Sequence, residues 1–173
     1  MTDNTQDIEY QESKYQYMQF LYVIVKEYYM GSKSEKVDNT MRIVYWKQEW
    51  DSDYPAQFVV YGQRPDSKKQ GTYIPYRLRF LTKEHLEHFI RTVIVQNVSA
   101  DHRVVIELRQ FSGLNNDSED EYNIEWENTA ENNTNKLVAF EIDSTFMANG
   151  DIRVNYTQVL DNVLTVLENS EIV

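Results

Sequence analysis

Between Tyr73 and Phe111 the hydropathy pattern changes period twice, and this stretch most constrains the fold. Tyr73–Leu81 alternates, with Ile74, Tyr76, Leu78 and Phe80 pointing one way and Arg77 and Arg79 the other. Thr82 ends the alternation and is suited to cap a helix. Leu86, Phe89, Ile90 and Val93 then recur at helical spacing on one stripe, with Asn97 closing the segment. Arg103–Phe111 alternates again, placing Val104, Ile106 and Leu108 on one face and Glu107 and Arg109 on the other. A helix between two strands lays its stripe on their sheet, so this segment is expected at the centre of the core.

The flanking sequence extends the pattern in both directions. Tyr10–Met30 reads as an amphipathic helix with Tyr17, Phe20, Leu21, Ile24, Val25 and Tyr28 on its apolar face and Gly31 as a stop. Thr40–Trp50 and Gln57–Gln63 read as a hairpin, joined through Asp51–Pro55. With Tyr73–Leu81 they form an antiparallel meander, in which Pro75 marks an edge or a strand start. Two further strands are expected at Glu121–Glu127 and Lys136–Asp143, and a short one at Asp151–Val154. Asn155 is expected to cap a last helix with Val159, Leu160, Val163, Leu164 and Leu167 on its stripe. The predicted fold class is α+β: one domain over 10–169, a mostly antiparallel sheet of about six strands packed by an N-terminal, a central and a C-terminal helix. Residues 1–9 form an acidic tail and 170–173 a frayed end.

Composition removes whole classes of chemistry. The chain has no cysteine, so disulfides, thiol catalysis and cysteine metal sites are excluded. Its five glycines stand apart, so neither a dinucleotide fingerprint, nor a P-loop, nor a Gly-x-Ser-x-Gly elbow is present. Met1–Glu9 is not a secretory leader, and Tyr15–Met30 carries Gln16, Gln19, Lys26 and Glu27, so it is not a membrane span. His85 and His88 stand three apart on the central helix beside Glu84, but the apolar stripe places both on its solvated side, and no metal or other cofactor is expected. Asp66 after Pro65, with Glu107 and Arg109, resembles the Pro-Asp…Glu-x-Lys pattern of metal-dependent nucleases. Arginine stands where lysine belongs and cannot act as a base. The plain alternative is a cross-strand ion pair between Glu107 and Arg77 or Arg79. No enzyme activity is expected.

The charge map carries the functional expectation. Net charge is −11, which disfavours direct contact with nucleic acid or an anionic membrane. Asn115–Asp143 holds nine acids and one base, while Arg64–Arg91 holds seven bases and three acids. Asp117, Glu119, Asp120, Glu121, Glu125, Glu127 and Glu141 are the expected partner-binding residues, presenting carboxylates on a sheet edge to a basic protein. Much Tyr, Asn, Asp and Ile with little Ala, Gly and Pro follows an AT-rich genome, which points to a low-GC bacterium or its phages. The leading expectation is a phage-encoded, cytoplasmic DNA mimic. It binds and inhibits a basic host nucleic-acid-handling protein, such as a transcription factor, a polymerase subunit or a defence nuclease. The alternatives are a virion subunit of a tail or neck, which assembles with copies of itself, and an acidic immunity protein against a basic toxin.

Overall fold

A computed structural model of the chain describes residues 15–30, 35–46, 56–66, 68–69, 71–94, 102–116, 133–142 and 152–170. The elements run β1 (Tyr15–Met30), β2 (Glu35–Trp46), β3 (Gln57–Pro65), β4 (Tyr73–Phe80), α1 (Lys83–Val93), β5 (His102–Asn116), β6 (Asn133–Ile142) and α2 (Ile152–Glu168). The strands form one sheet in the order β4-β3-β2-β1-β5-β6, and every neighbouring pair is antiparallel.

Register assigns each side chain to one of two faces. Val23 and Val25 of β1 lie beside Ile43 and Met41 of β2 and beside Leu108 and Ile106 of β5. This face carries both helices: Leu86 and Ile90 of α1 and Leu160, Val163, Leu164 and Leu167 of α2 share its core. On the opposite face Tyr22, Ile24, Val44, Val59 and Phe111 form a second, smaller buried cluster. Among the described residues no helix contributes to it. The Phe20 ring lies 4.7 Å from that of Phe111 and 6.4 Å from that of Trp46, centroid to centroid, which extends this cluster across β2, β1 and β5.

Local chemistry explains the joints. Thr82 caps α1 by accepting a 3.2 Å hydrogen bond from the His85 amide, and the Ile94 amide closes the helix on the Ile90 carbonyl. Phe89 of α1 packs against Tyr76 and Phe80 of β4, with ring centroids 6.2 and 5.3 Å away. In the turn between β3 and β4 Asp66 accepts from the Lys68 amide, and Gly71 adopts φ +86°, a left-handed conformation that suits glycine. A bulge at Glu27/Tyr28 interrupts the β1–β2 ladder, and the buried Glu27 carboxylate there accepts a 2.7 Å hydrogen bond from Asn39.

The largest correction concerns the N-terminus. The expected helix over Tyr10–Met30 is, in its described part, a strand at the middle of the sheet. A strand buried on both faces loses its alternation, so the run from Phe20 to Val25 fits a helical stripe as well as a strand. Among the described residues the architecture therefore has two helices, in the order four strands, one helix, two strands, one helix. The Tyr73–Phe111 segment is not the centre: β4 is an edge strand, separated from β5 by β3, β2 and β1. Pro75 does lie on an edge, and the meander from β2 to β4 forms as expected. Ile152–Val154 opens α2 instead of forming a strand, which places Asn155 inside the helix and not at its cap. The expected strand at Glu121–Glu127 and both termini lie outside the described residues. No described helix is long and apolar enough to cross a membrane.

Candidate functional site

Three arrangements gather chemistry-bearing side chains. The first is on the helix-free face. Arg109 of β5 donates from Nε to the Tyr22 hydroxyl of β1, from Nη1 to Glu107 and from Nη2 to Thr134 of β6, each at 3.0 Å. One guanidinium thus ties three strands together, which suits its rigid fork of donors. Toward the other end of β5, Arg103 lies 4.7 Å above the Tyr28 ring and pairs with Glu141 of β6. The expected pairing of Glu107 with Arg77 or Arg79 is not formed, because those arginines stand on the far edge strand. The nuclease-like set also falls apart. Asp66 sits on the β3–β4 turn, while Glu107 is three strands from β3 and neutralised by Arg109.

The second arrangement clasps the helices. Lys83 of α1 bridges to Asp161 of α2 at 2.9 Å and donates to the Thr165 hydroxyl at 3.0 Å. Glu87, one turn along α1, is buried, and its Oε1 has no hydrogen-bond partner. Burial, followed by its hydrogen bond with Asp161 and that group's negative charge, pushes the Glu87 carboxyl up to about 7, with Lys83 opposing and Glu84 reinforcing the rise. Hydrogen bonding from Lys83 holds Asp161 below its ordinary value.

This clasp makes stability pH-dependent. Between the ordinary Glu value of 4.5 and about 7, folded Glu87 keeps a proton that the unfolded chain releases. The stability from this group therefore falls as pH rises through that window and is lost above it. Glu87→Gln keeps a donor toward Asp161 and removes the charge. Urea titrations are expected to show the variant gaining on the wild type by about 1–3 kcal/mol more at pH 8 than at pH 5. A difference between the two proteins that does not change with pH sinks this assignment.

The third arrangement is a cluster of basic side chains at one edge of the sheet. Arg64, Lys68, Lys69, Arg77 and Arg79 lie at the β3–β4 edge, with Asp66 as the acid among the described residues there. At the other edge β6 carries Lys136 and Glu141, both exposed, with Glu141 directed to the helix-free face opposite Val105. The chain joining β5 to β6, residues 117–132, contains seven acids and no base. Of the expected partner-binding residues, Asp117, Glu119, Asp120, Glu121, Glu125 and Glu127 lie outside the described residues, and Glu141 alone is placed.

No protein-family model, curated protein or solved structure matches this chain. His85 and His88 are exposed on α1, and among the described residues no group of three or more His, Asp or Glu side chains is placed to hold a metal ion. The sequence reading missed Arg109 as a hub, since Thr134 and Tyr22 join it only through the β1-β5-β6 order. It missed Glu87 because Asp161 lies far along the chain. The available signal was the helical spacing of Lys83 and Glu87, which puts an opposite pair on one side of α1.

Proposed function

We propose that this protein is a non-enzymatic protein-binding module that engages a basic protein surface through the acidic stretch that joins β5 to β6. What supports this reading is the sequence that joins β5 to β6, in which residues 117–132 hold seven acids and no base, set against the basic side chains gathered at the β3–β4 edge. Clustering of like charges favours encounter with an oppositely charged surface and rejects others. The basic surface belongs either to a host protein, as in an inhibitor that competes with nucleic acid, or to a second copy of this chain. The exposed apolar side chains of the described edge strands β4 and β6 favour the second form.

The test is charge reversal. Wild type and a Glu121→Lys, Glu125→Lys, Glu127→Lys variant are immobilised at low salt, offered lysate together with untagged copies of this chain, and eluted with a salt gradient. The wild type is expected to release its partner sharply with rising salt, since the attraction is screened over about 10 Å at 0.1 M. The variant should keep its circular dichroism and lose the partner. Equal capture by both proteins removes the acidic stretch from the function.

A further inference from the structure

We propose that the basic partner is a second copy, and that copies join head to tail by pairing β4 of one molecule with β6 of the next. This rests on the reading of the acidic stretch as a binding surface and names its partner.

Exposed apolar side chains mark both edges. Among the described residues seven large apolar side chains are exposed, and six of them lie on or beside the edge strands: Tyr73, Ile74, Leu78 and Leu81 at β4, and Leu137 and Val138 at β6. Among the described residues no strand pairs with the outer side of β4 or β6, and such an edge presents backbone donors and acceptors to another chain.

Direction fits as well. Among the described residues the sheet has six strands and every neighbouring pair is antiparallel, so its two edge strands run in opposite senses. A copy advanced along the sheet, without a turn-over, therefore meets β6 with β4 antiparallel to it. The helices of both copies stay on the same side.

The regular stretches match in length. On β4 the stretch free of proline runs from Tyr76 to Phe80, beyond Pro75. On β6 the stretch free of the bulge runs from Val138 to Ile142, because the register shift lies opposite Leu108/Arg109. Pairing them end to end sets Leu78 against Phe140 and Phe80 against Val138 on the helix-bearing side. It sets Arg77 against Glu141 on the other side, where Glu141 then bridges Arg77 of one copy and Arg103 of its own. Cross-strand apolar and opposite-charge pairs of this kind stabilise antiparallel sheets.

Charge selects this mode over a two-fold dimer through β4. A β4–β4 pair centred on Leu78 places Arg77 opposite Arg79 twice, and like charges directly opposite destabilise a sheet. A head-to-tail contact leaves one edge of each kind free, so growth continues beyond a dimer unless a ring closes.

Sedimentation velocity tests this. For the wild type at low salt, the sedimentation coefficient is expected to rise with concentration past the dimer value and to fall back at high salt. Leu78→Lys blocks β4 and leaves β6 intact, while Val138→Lys does the reverse. Both positions are exposed, and circular dichroism checks that each variant folds. Each variant alone should be a monomer, and an equimolar mixture should form a one-to-one heterodimer that grows no further. A wild type that stays monomeric at every concentration overturns the proposal, as does a dimer abolished by one substitution and untouched by the other. If self-association is absent but a basic lysate protein is still captured and lost on acid reversal, the binding module stands and its partner is not a second copy. If neither is seen, both readings fall.

Discussion

Gly62→Val is expected to destabilise the protein by about 2–4 kcal/mol, and Tyr76→Ala in the same chain to return much of that loss. The two residues face each other across β3 and β4 on the helix-bearing side. The Tyr76 ring occupies the space that a side chain at position 62 needs: a Cβ there would lie 2.1 Å from Tyr76 Cζ and 2.4 Å from Cε2. Such a contact forces the ring off its seat. The displaced ring also loses Phe89, one of the aromatic contacts through which α1 sits on β4. A glycine covered by a cross-strand aromatic ring is a known device of twisted sheets, and here it holds the edge strand. The measurement is a double-mutant cycle by urea unfolding. Strict additivity of the two substitutions removes the steric account. Tyr76→Phe is a useful companion, because burial pushes the Tyr76 hydroxyl up to about 12 and leaves it without a hydrogen-bond partner. Losing that hydroxyl should leave the unfolding midpoint unchanged.

Ile106→Ala is expected to cost about 2–5 kcal/mol, the range for truncating a fully enclosed aliphatic side chain. Ile106 is fully buried on the helix-bearing face, with Val25 of β1 on one side and Phe140 of β6 on the other. Strands on both sides and a helix layer above leave little room for the site to collapse. Its neighbour Val105 points to the other face and is only half-buried, so Val105→Ala should cost well under half as much. Denaturant midpoints of the two variants, read against the wild type, test the face assignment of β5. Equal losses would show that the two sides of the strand are packed alike. Domains of this size are stable by only about 5–15 kcal/mol, so the Ile106 change alone consumes a large part of the margin.

How legible this architecture is depends on which face of each element meets the core. Tyr73–Phe80 has one face against the core and one that carries Arg77 and Arg79, and its alternation reads directly. Leu86 and Ile90 mark a one-sided helix, and Thr82 marks its start, so α1 is equally plain. β1 has apolar residues on both faces, Val23 and Val25 against the helices and Tyr22 and Ile24 away from them, and a two-sided strand carries no period. Its β-branched and aromatic residues were the better guide than its spacing. The start of α2 is hidden for a related reason: Ile152 and Val154 are β-branched, and the stripe that identifies the helix begins only at Val159. Functional features were legible only where they depend on sequence position alone. The acidic stretch 117–132 is evident from composition, whereas the Lys83–Asp161–Glu87 clasp depends on two helices that meet only after the sheet is assembled.

The central position of β1 also sets the order in which the molecule can be made. β1, β2, β3 and β4 follow one another in the chain and in the sheet, so a ribosome that has released Phe80 has supplied a complete four-stranded meander. The other flank of β1 must wait for β5, where Val25 finds Ile106. Until then β1, the longest of the described strands, offers an unpaired flank that is apolar on both sides. Contacts so distant along the chain form slowly, and the waiting intermediate is exposed to aggregation. Yield during synthesis should therefore respond to temperature and to chaperone supply more strongly than the stability of the finished fold does.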